Sequence, residues 1–126
     1  MSKKILIVDD EPNIVISLEF LMKKEGFEVA VAGDGDEALA KAASFNPDLI
    51  LLDVMMPKRS GFEVCEALRA DSARAGLVIV MLTAKGRETE VAKGLAIGAD
   101  AYVTKPFSTK ELVARVKTLL GMPCAA

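Results

Sequence analysis

Five short apolar runs, starting near Ile5, Glu28, Asp48, Leu77 and Asp100, alternate with segments of helical periodicity. That alternation is the strongest constraint on the fold. A strand, a helix and another strand in repeated succession pack as crossovers, and crossovers make neighbouring strands parallel. Strands buried on both faces read as continuous apolar runs. Ile5–Val8, Leu49–Leu52 and Leu77–Leu82 have that character. Glu28–Ala32 and Ala101–Thr104 are shorter and more mixed, as edge strands are. Between the runs, Ile14, Leu18, Leu21 and Met22 share one helical face. Leu39, Ala42 and Ala43 share another, and Leu112, Val113, Val116, Leu119 and Leu120 a third. Pro12 suits a first helical turn, where its missing N–H leaves nothing unpaired. Gly26 and Gly98 stand at expected left-handed caps, Asn46-Pro47 stops the second helix, and Ser60 and Ser108 open the third and fifth. Asp34 and Asp36 open the second. The expected order is βαβαβαβαβα: an α/β, doubly wound, five-stranded parallel sheet with helices on both faces.

The chain has 126 residues, the size of one domain. No composition break divides it, so residues 1–126 are expected to form a single domain, with a core over 3–120 and a short tail over 121–126. Net charge is −2, with 16 basic against 18 acidic residues. That balance provides neither a nucleic-acid footprint nor a polybasic membrane patch. The longest apolar run, Leu77–Leu82, is far shorter than a membrane span. Two widely separated cysteines, Cys65 and Cys124, make neither a metal motif nor a disulfide framework, which points to a reducing, cytoplasmic setting. Cys65 reads as a buried apolar residue of its helix. The chain contains no histidine. Ser-His-Asp triads, Cys-His dyads and His-ligated zinc are therefore excluded.

In open α/β sheets ligands bind beyond the carboxyl ends of the strands. Asp9, Asp10 and Glu11 follow the first run, Asp53 the third, Thr83 the fourth and Lys105 the fifth. Each has a bland alternative. Asp9 or Asp10 can simply cap a helix, Asp53 can be a loop residue, Thr83 a strand end and Lys105 a solvated ammonium. Together they place at least three carboxylates, a hydroxyl and an ammonium on one edge. Clustered carboxylates call for a cation or a raised pKa, and all-oxygen ligands favour magnesium over zinc. Thr83 and Lys105 then remain to hold an anion such as a phosphoryl group. Asp48 and Asp100 precede their strands and are read as solvent-facing.

These residues resemble the receiver domain of two-component response regulators. The matching segments are Ile5-Leu6-Ile7-Val8-Asp9-Asp10-Glu11, Asp48 through Pro57 with Ser60-Gly61, Met81-Leu82-Thr83-Ala84, and Gly98 through Phe107. The resemblance runs from Lys3 to about Leu120. It implies the flavodoxin-like strand order 2-1-3-4-5 and a single-domain, chemotaxis-regulator-like switch. It implies Asp53 as phosphoacceptor. Asp10, Asp53 and the Met55 backbone carbonyl become magnesium ligands, and Asp9 acts on the metal through water. Manganese is an acceptable substitute. Thr83 and Lys105 hold phosphoryl oxygens, Thr83 and Tyr102 form the switch pair, and Lys105–Pro106 is a cis peptide.

The implied partners are a histidine kinase or histidine phosphotransfer protein, and a downstream effector that reads the face made by the fourth helix, fifth strand and fifth helix. No direct nucleic-acid or membrane contact is expected. The chain is expected to be a monomer or weak dimer, and a signalling domain rather than an enzyme, although it supports its own magnesium-dependent phosphorylation and autodephosphorylation. Two alternatives are an aspartate-nucleophile phosphatase and a phosphorylation-independent scaffold receiver. The phosphatase class places a second carboxylate two residues after its nucleophile, where this chain has Met55. A nucleotide or flavin binder needs a glycine-rich turn after the first strand, where this chain has Asp9-Asp10-Glu11.

Overall fold

The computed structural model describes residues 3–54, 60–71, 76–84, 98–105 and 108–121, apart from the side chains of residues 84 and 105. Five strands, β1 (Lys4–Val8), β2 (Glu28–Ala32), β3 (Leu49–Asp53), β4 (Val78–Ala84) and β5 (Ala101–Lys105), form one parallel sheet in the order β2-β1-β3-β4-β5. Four described helices, α1 (Pro12–Lys24), α2 (Gly35–Phe45), α3 (Gly61–Ala70) and α4 (Thr109–Leu119), supply crossovers and the C-terminal element. The helix expected between β4 and β5 lies outside the described residues, as do Cys124 and the Lys105–Pro106 peptide.

Strand alternation divides the core into two layers. Leu6, Val8, Ile50, Leu52, Ile79 and Met81 point to one face, where Ala38 and Ala42 of α2 and Val64, Cys65 and Leu68 of α3 cover them. Ile5, Ile7, Leu49, Leu51, Val80 and Leu82 point to the other, against Leu18 and Met22 of α1 and Leu112 and Val116 of α4. A side chain of this size contributes about 1.5–3 kcal/mol when fully buried, so β1 and β3, sandwiched throughout, dominate the core. The outer positions of β2 and β5 match their mixed sequence, although each is as long as β1.

Local punctuation agrees with the sequence in most places. Pro12 begins α1, and Gly26, at φ +93°, turns the chain out of it. Asn46, at φ 53°, is the left-handed cap of α2. Asp34 caps α2 through the Glu37 N–H. Ser60 and Glu63 form a reciprocal capping box on α3, and Ser108 caps α4. Two expectations fail. Ala43 is exposed, and Ala38 takes its place on the buried stripe of α2.

The second failure concerns Asp48 and Asp100, which are not merely solvent-facing. Asp48 Oδ2 accepts the Lys4 N–H at 2.8 Å. Asp100 Oδ2 accepts the Ile79 N–H at 2.7 Å and pairs with Arg69 of α3. Each carboxylate satisfies a backbone donor at the amino end of an adjacent strand, a donor the sheet ladder does not pair.

Candidate functional site

The carboxyl edge of the sheet is built by strand ends that the central packing holds in register. Asp53 pairs with Leu82 across β3 and β4, and Thr83 pairs with Thr104 across β4 and β5. Asp53, Thr83 and Lys105 therefore belong to their strands rather than following them, because the ladder runs to the very edge. Asp9 extends β1 by one bond, its N–H reaching Ala32 O at 3.2 Å. The chain then turns through Asp10 and Glu11 into α1.

Asp9 and Asp53 are buried, at 1% and 6% exposure, while Asp10 is exposed. One carboxylate oxygen from each of the three lies within 4.8 Å of the other two. Asp9 Oδ1 also accepts the Glu11 N–H at 2.9 Å, which fixes that carboxylate. The helix-capping alternative for Asp9 and Asp10 is not realised: Glu11 is the N-cap of α1 and no side chain caps it. The cluster fits a hard divalent cation, since its donors are all oxygens and one of them opens to solvent. At an effective dielectric near 20, two unit charges about 4 Å apart repel by roughly 4 kcal/mol, so bringing the three together is costly without such a cation.

Thr83 is buried at 3% exposure, and its Oγ1 has no hydrogen-bond partner among the described residues. A buried hydroxyl left unpaired costs about 1–3 kcal/mol, and here it is retained at the edge where the acids gather. Tyr102 is 41% exposed and pairs with Met81, two residues before the Thr83 level on the neighbouring strand. It lines a groove of ≈ 450 Å³ with Thr104, Ser108, Glu111 and Arg115. Lys105 closes β5, its side chain outside the described set, and Met55 and Pro106 lie outside it altogether.

Two features at this edge are not evident from the sequence. A pocket of ≈ 220 Å³ opens beside Asp9 and Asp10, between α1 and α2. Glu37 shapes its rim by accepting the Gly33 N–H at 2.6 Å, and Lys41 by reaching Val31 O. Gly61, visible only as part of a motif, packs against the backbone of Asp53 and Val54. Cys65 is fully buried, and desolvation pushes its thiol pKa up, in keeping with an inert core residue.

Residues 5–117 match the response regulator receiver domain family. The alkaline phosphatase synthesis transcriptional regulatory protein PhoP of Bacillus subtilis is 52% identical over 120 residues, covering 95% of this chain and 49% of that protein. The DNA-binding response regulator MtrA of Mycolicibacterium smegmatis is 51% identical, covering 95% and 51%. The chain thus spans about half the length of the curated relatives it matches. Among solved structures, a putative response regulator from Chloroflexus aurantiacus superposes with a TM-score of 0.92 at 36% identity, covering 96% of this chain and 99% of that one. The chemotaxis response regulator CheY4 of Vibrio cholerae gives 0.89 at 35% identity, covering 94% and 99%.

Proposed function

The chain belongs to the response regulator receiver family, and from that premise we propose that Asp53 accepts a phosphoryl group and that Thr83, Lys105 and Tyr102 convert its arrival into a changed surface. The observation that carries this reading is the meeting of Asp9, Asp10 and Asp53 at the strand ends, on the edge that also bears the Thr83 hydroxyl, which has no partner among the described residues. In the step itself, a carboxylate oxygen of Asp53 attacks phosphorus. A P–O bond forms, and the bond from phosphorus to its donor breaks, a P–N bond when the donor is a phosphohistidine. The product is an acyl phosphate. These 126 residues contain no histidine, so a phosphohistidine donor lies outside them, as a kinase or phosphotransfer protein would supply. Hydrolysis of the acyl phosphate by water restores the carboxylate.

Asp10 and Asp53, with the Met55 carbonyl, would hold magnesium directly and Asp9 would hold it through water. Bound there, magnesium offsets the negative charge on the carboxylates and the phosphoryl oxygens. The protein's own residues do the remainder. The ladder holds the Asp53 carboxylate at the edge, Lys105 supplies an ammonium to a phosphoryl oxygen, and the Thr83 hydroxyl donates to another. Thr83 thereby gains a partner that none of the described residues gives it. Its movement leaves room for Tyr102 to turn inward from the groove, altering the face that β5 and α4 form. Inverting a 1:99 population needs about 5.5 kcal/mol of differential stabilisation, and charge-assisted hydrogen bonds of about 1.5–3 kcal/mol each supply much of it.

The reading places the domain in the cytoplasm, as a monomer or weak dimer signalling through an effector. No described helix is long and apolar enough to cross a membrane. The test is incubation with acetyl phosphate and magnesium, followed by intact mass. The wild-type chain gains one phosphoryl group and Asp53→Ala gains none; equal gain in both would sink the assignment.

A further inference from the structure

Gly61 opens α3 directly against the exit of β3. Its φ is not positive, so glycine is not needed there for backbone conformation. It is needed for space. A Cβ at this position would lie 2.3 Å from Asp53 O, 2.9 Å from Val54 Cα and 3.0 Å from Asp53 C. All three are backbone atoms, which cannot swing aside as a side chain can.

Neither side of this contact is free to retreat. The capping box of Ser60 and Glu63 sets the first turn of α3, and Val64, Cys65 and Leu68 are buried in the core behind it. On the other side, β3 lies between β1 and β4, with Asp53 paired to Leu82. The Val54 N–H donates to Leu82 O at 3.1 Å, and the Gly61 N–H donates to Val54 O at 2.9 Å. The Asp53–Val54 peptide is thus clamped between a strand and a helix, and any added side chain at 61 displaces it.

We infer that Gly61 is a positioning residue for Asp53: its missing side chain lets the first turn of α3 set the backbone from which the Asp53 carboxylate meets Asp9 and Asp10. The inference rests on the assignment of Asp53 above. A misplacement of about 1 Å can cost a reaction of this kind roughly a hundredfold.

The test compares Gly61→Ala with Ser60→Ala, which loosens the same helical turn without crowding Asp53. Mn2+ binding is measured by electron paramagnetic resonance of the free ion, phosphoryl gain from acetyl phosphate by intact mass, and folding by thermal unfolding. Gly61→Ala is expected to weaken Mn2+ binding by about tenfold and slow phosphoryl gain by about a hundredfold, while Ser60→Ala keeps both near wild type at equal fraction folded. Wild-type behaviour in Gly61→Ala overturns the inference. So does a loss in both variants that simply follows their loss of stability. If the wild type binds Mn2+ but takes no phosphoryl group, the phosphoacceptor reading falls, while weaker Mn2+ binding by Gly61→Ala still upholds the placement of Asp53. Should Gly61→Ala fail to fold, the wild-type amide resonances decide. Gly61 and Val54 are expected to shift together during Mg2+ titration, and a silent Gly61 amide overturns the inference.

Discussion

The two ends of the sheet carry the same kinds of side chain and use them in opposite ways. At the amino end, Asp48 accepts from Lys4 N–H and Asp100 accepts from Ile79 N–H while pairing with Arg69. Arg69 reaches further, donating to Gly98 O at 2.7 Å and to Leu77 O at 2.6 Å. Each of these polar groups is matched to a partner in the same molecule. At the carboxyl end, three carboxylates face one another and a buried hydroxyl has no partner among the described residues. The amino end contributes stability because its groups are satisfied. The carboxyl end keeps like charges close together and a buried hydroxyl unmatched among the described residues, which is the arrangement a ligand would relieve.

The largest effect expected from breaking this contrast is at Arg69, whose side chain is only 20% exposed. Arg69→Ala strips the donor from two backbone carbonyls and leaves Asp100 without its cation. Hydrogen bonds to charged groups are worth about 1.5–3 kcal/mol each and are not additive, so a loss of about 3 kcal/mol is expected. Urea denaturation should show a lower midpoint with an unchanged slope. Added magnesium should stabilise this variant as much as it stabilises the wild type. A different magnesium response would mean that the two ends are coupled.

At the carboxyl end the sign reverses. Asp53→Asn keeps the shape and removes one charge from the cluster. In metal-free, low-salt buffer it should raise stability by about 1 kcal/mol, because the repulsion it relieves is partly screened by solvent and salt. Magnesium should then rescue the wild type, by about 2.7 kcal/mol at a hundredfold excess over Kd, and do much less for the variant. Thermal unfolding with and without the ion measures both terms. A destabilised Asp53→Asn in metal-free buffer would show that Asp53 is held by favourable contacts rather than strained by its neighbours.

The same contrast explains how much the sequence shows in advance. The fold is legible because burial on both faces makes β1, β3 and β4 continuous apolar runs, and their spacing leaves room for crossovers. Asp9, Asp10, Asp53 and Thr83 are legible for a related reason: a residue at the end of an apolar run lies at the sheet's carboxyl edge whatever the register. Asp48 and Asp100 are not legible, because their partners, Lys4 N–H and Ile79 N–H, depend on which strands lie side by side. No local pattern in Asp48-Leu49 or Gly98-Ala99-Asp100 announces a bond to a backbone 44 or 21 residues away. Gly61 is intermediate. Its place in a motif can be seen, but its reason, the closeness of Asp53 O, exists only once α3 is packed.

The smallest expected effect concerns Cys65, which lies near the amino-end pair and feels both members of it. Burial raises its thiol pKa most. The Arg69 guanidinium works in the other direction, and the carboxylates of Asp100 and Glu66 add to the rise. In the unfolded chain this thiol ionises near its ordinary value of 9.0. A folded-state pKa above that value means that the folded protein holds the proton more tightly. The contribution to stability is therefore complete below about pH 9 and is lost as pH rises through the folded-state value. Cys65→Ala, which cannot ionise, should show a flatter stability profile above pH 9 than the wild type, at the cost of a small cavity at every pH. Denaturant midpoints across that range measure the difference. If the two profiles run parallel, the thiol ionises alike in both states and Arg69 offsets burial in full.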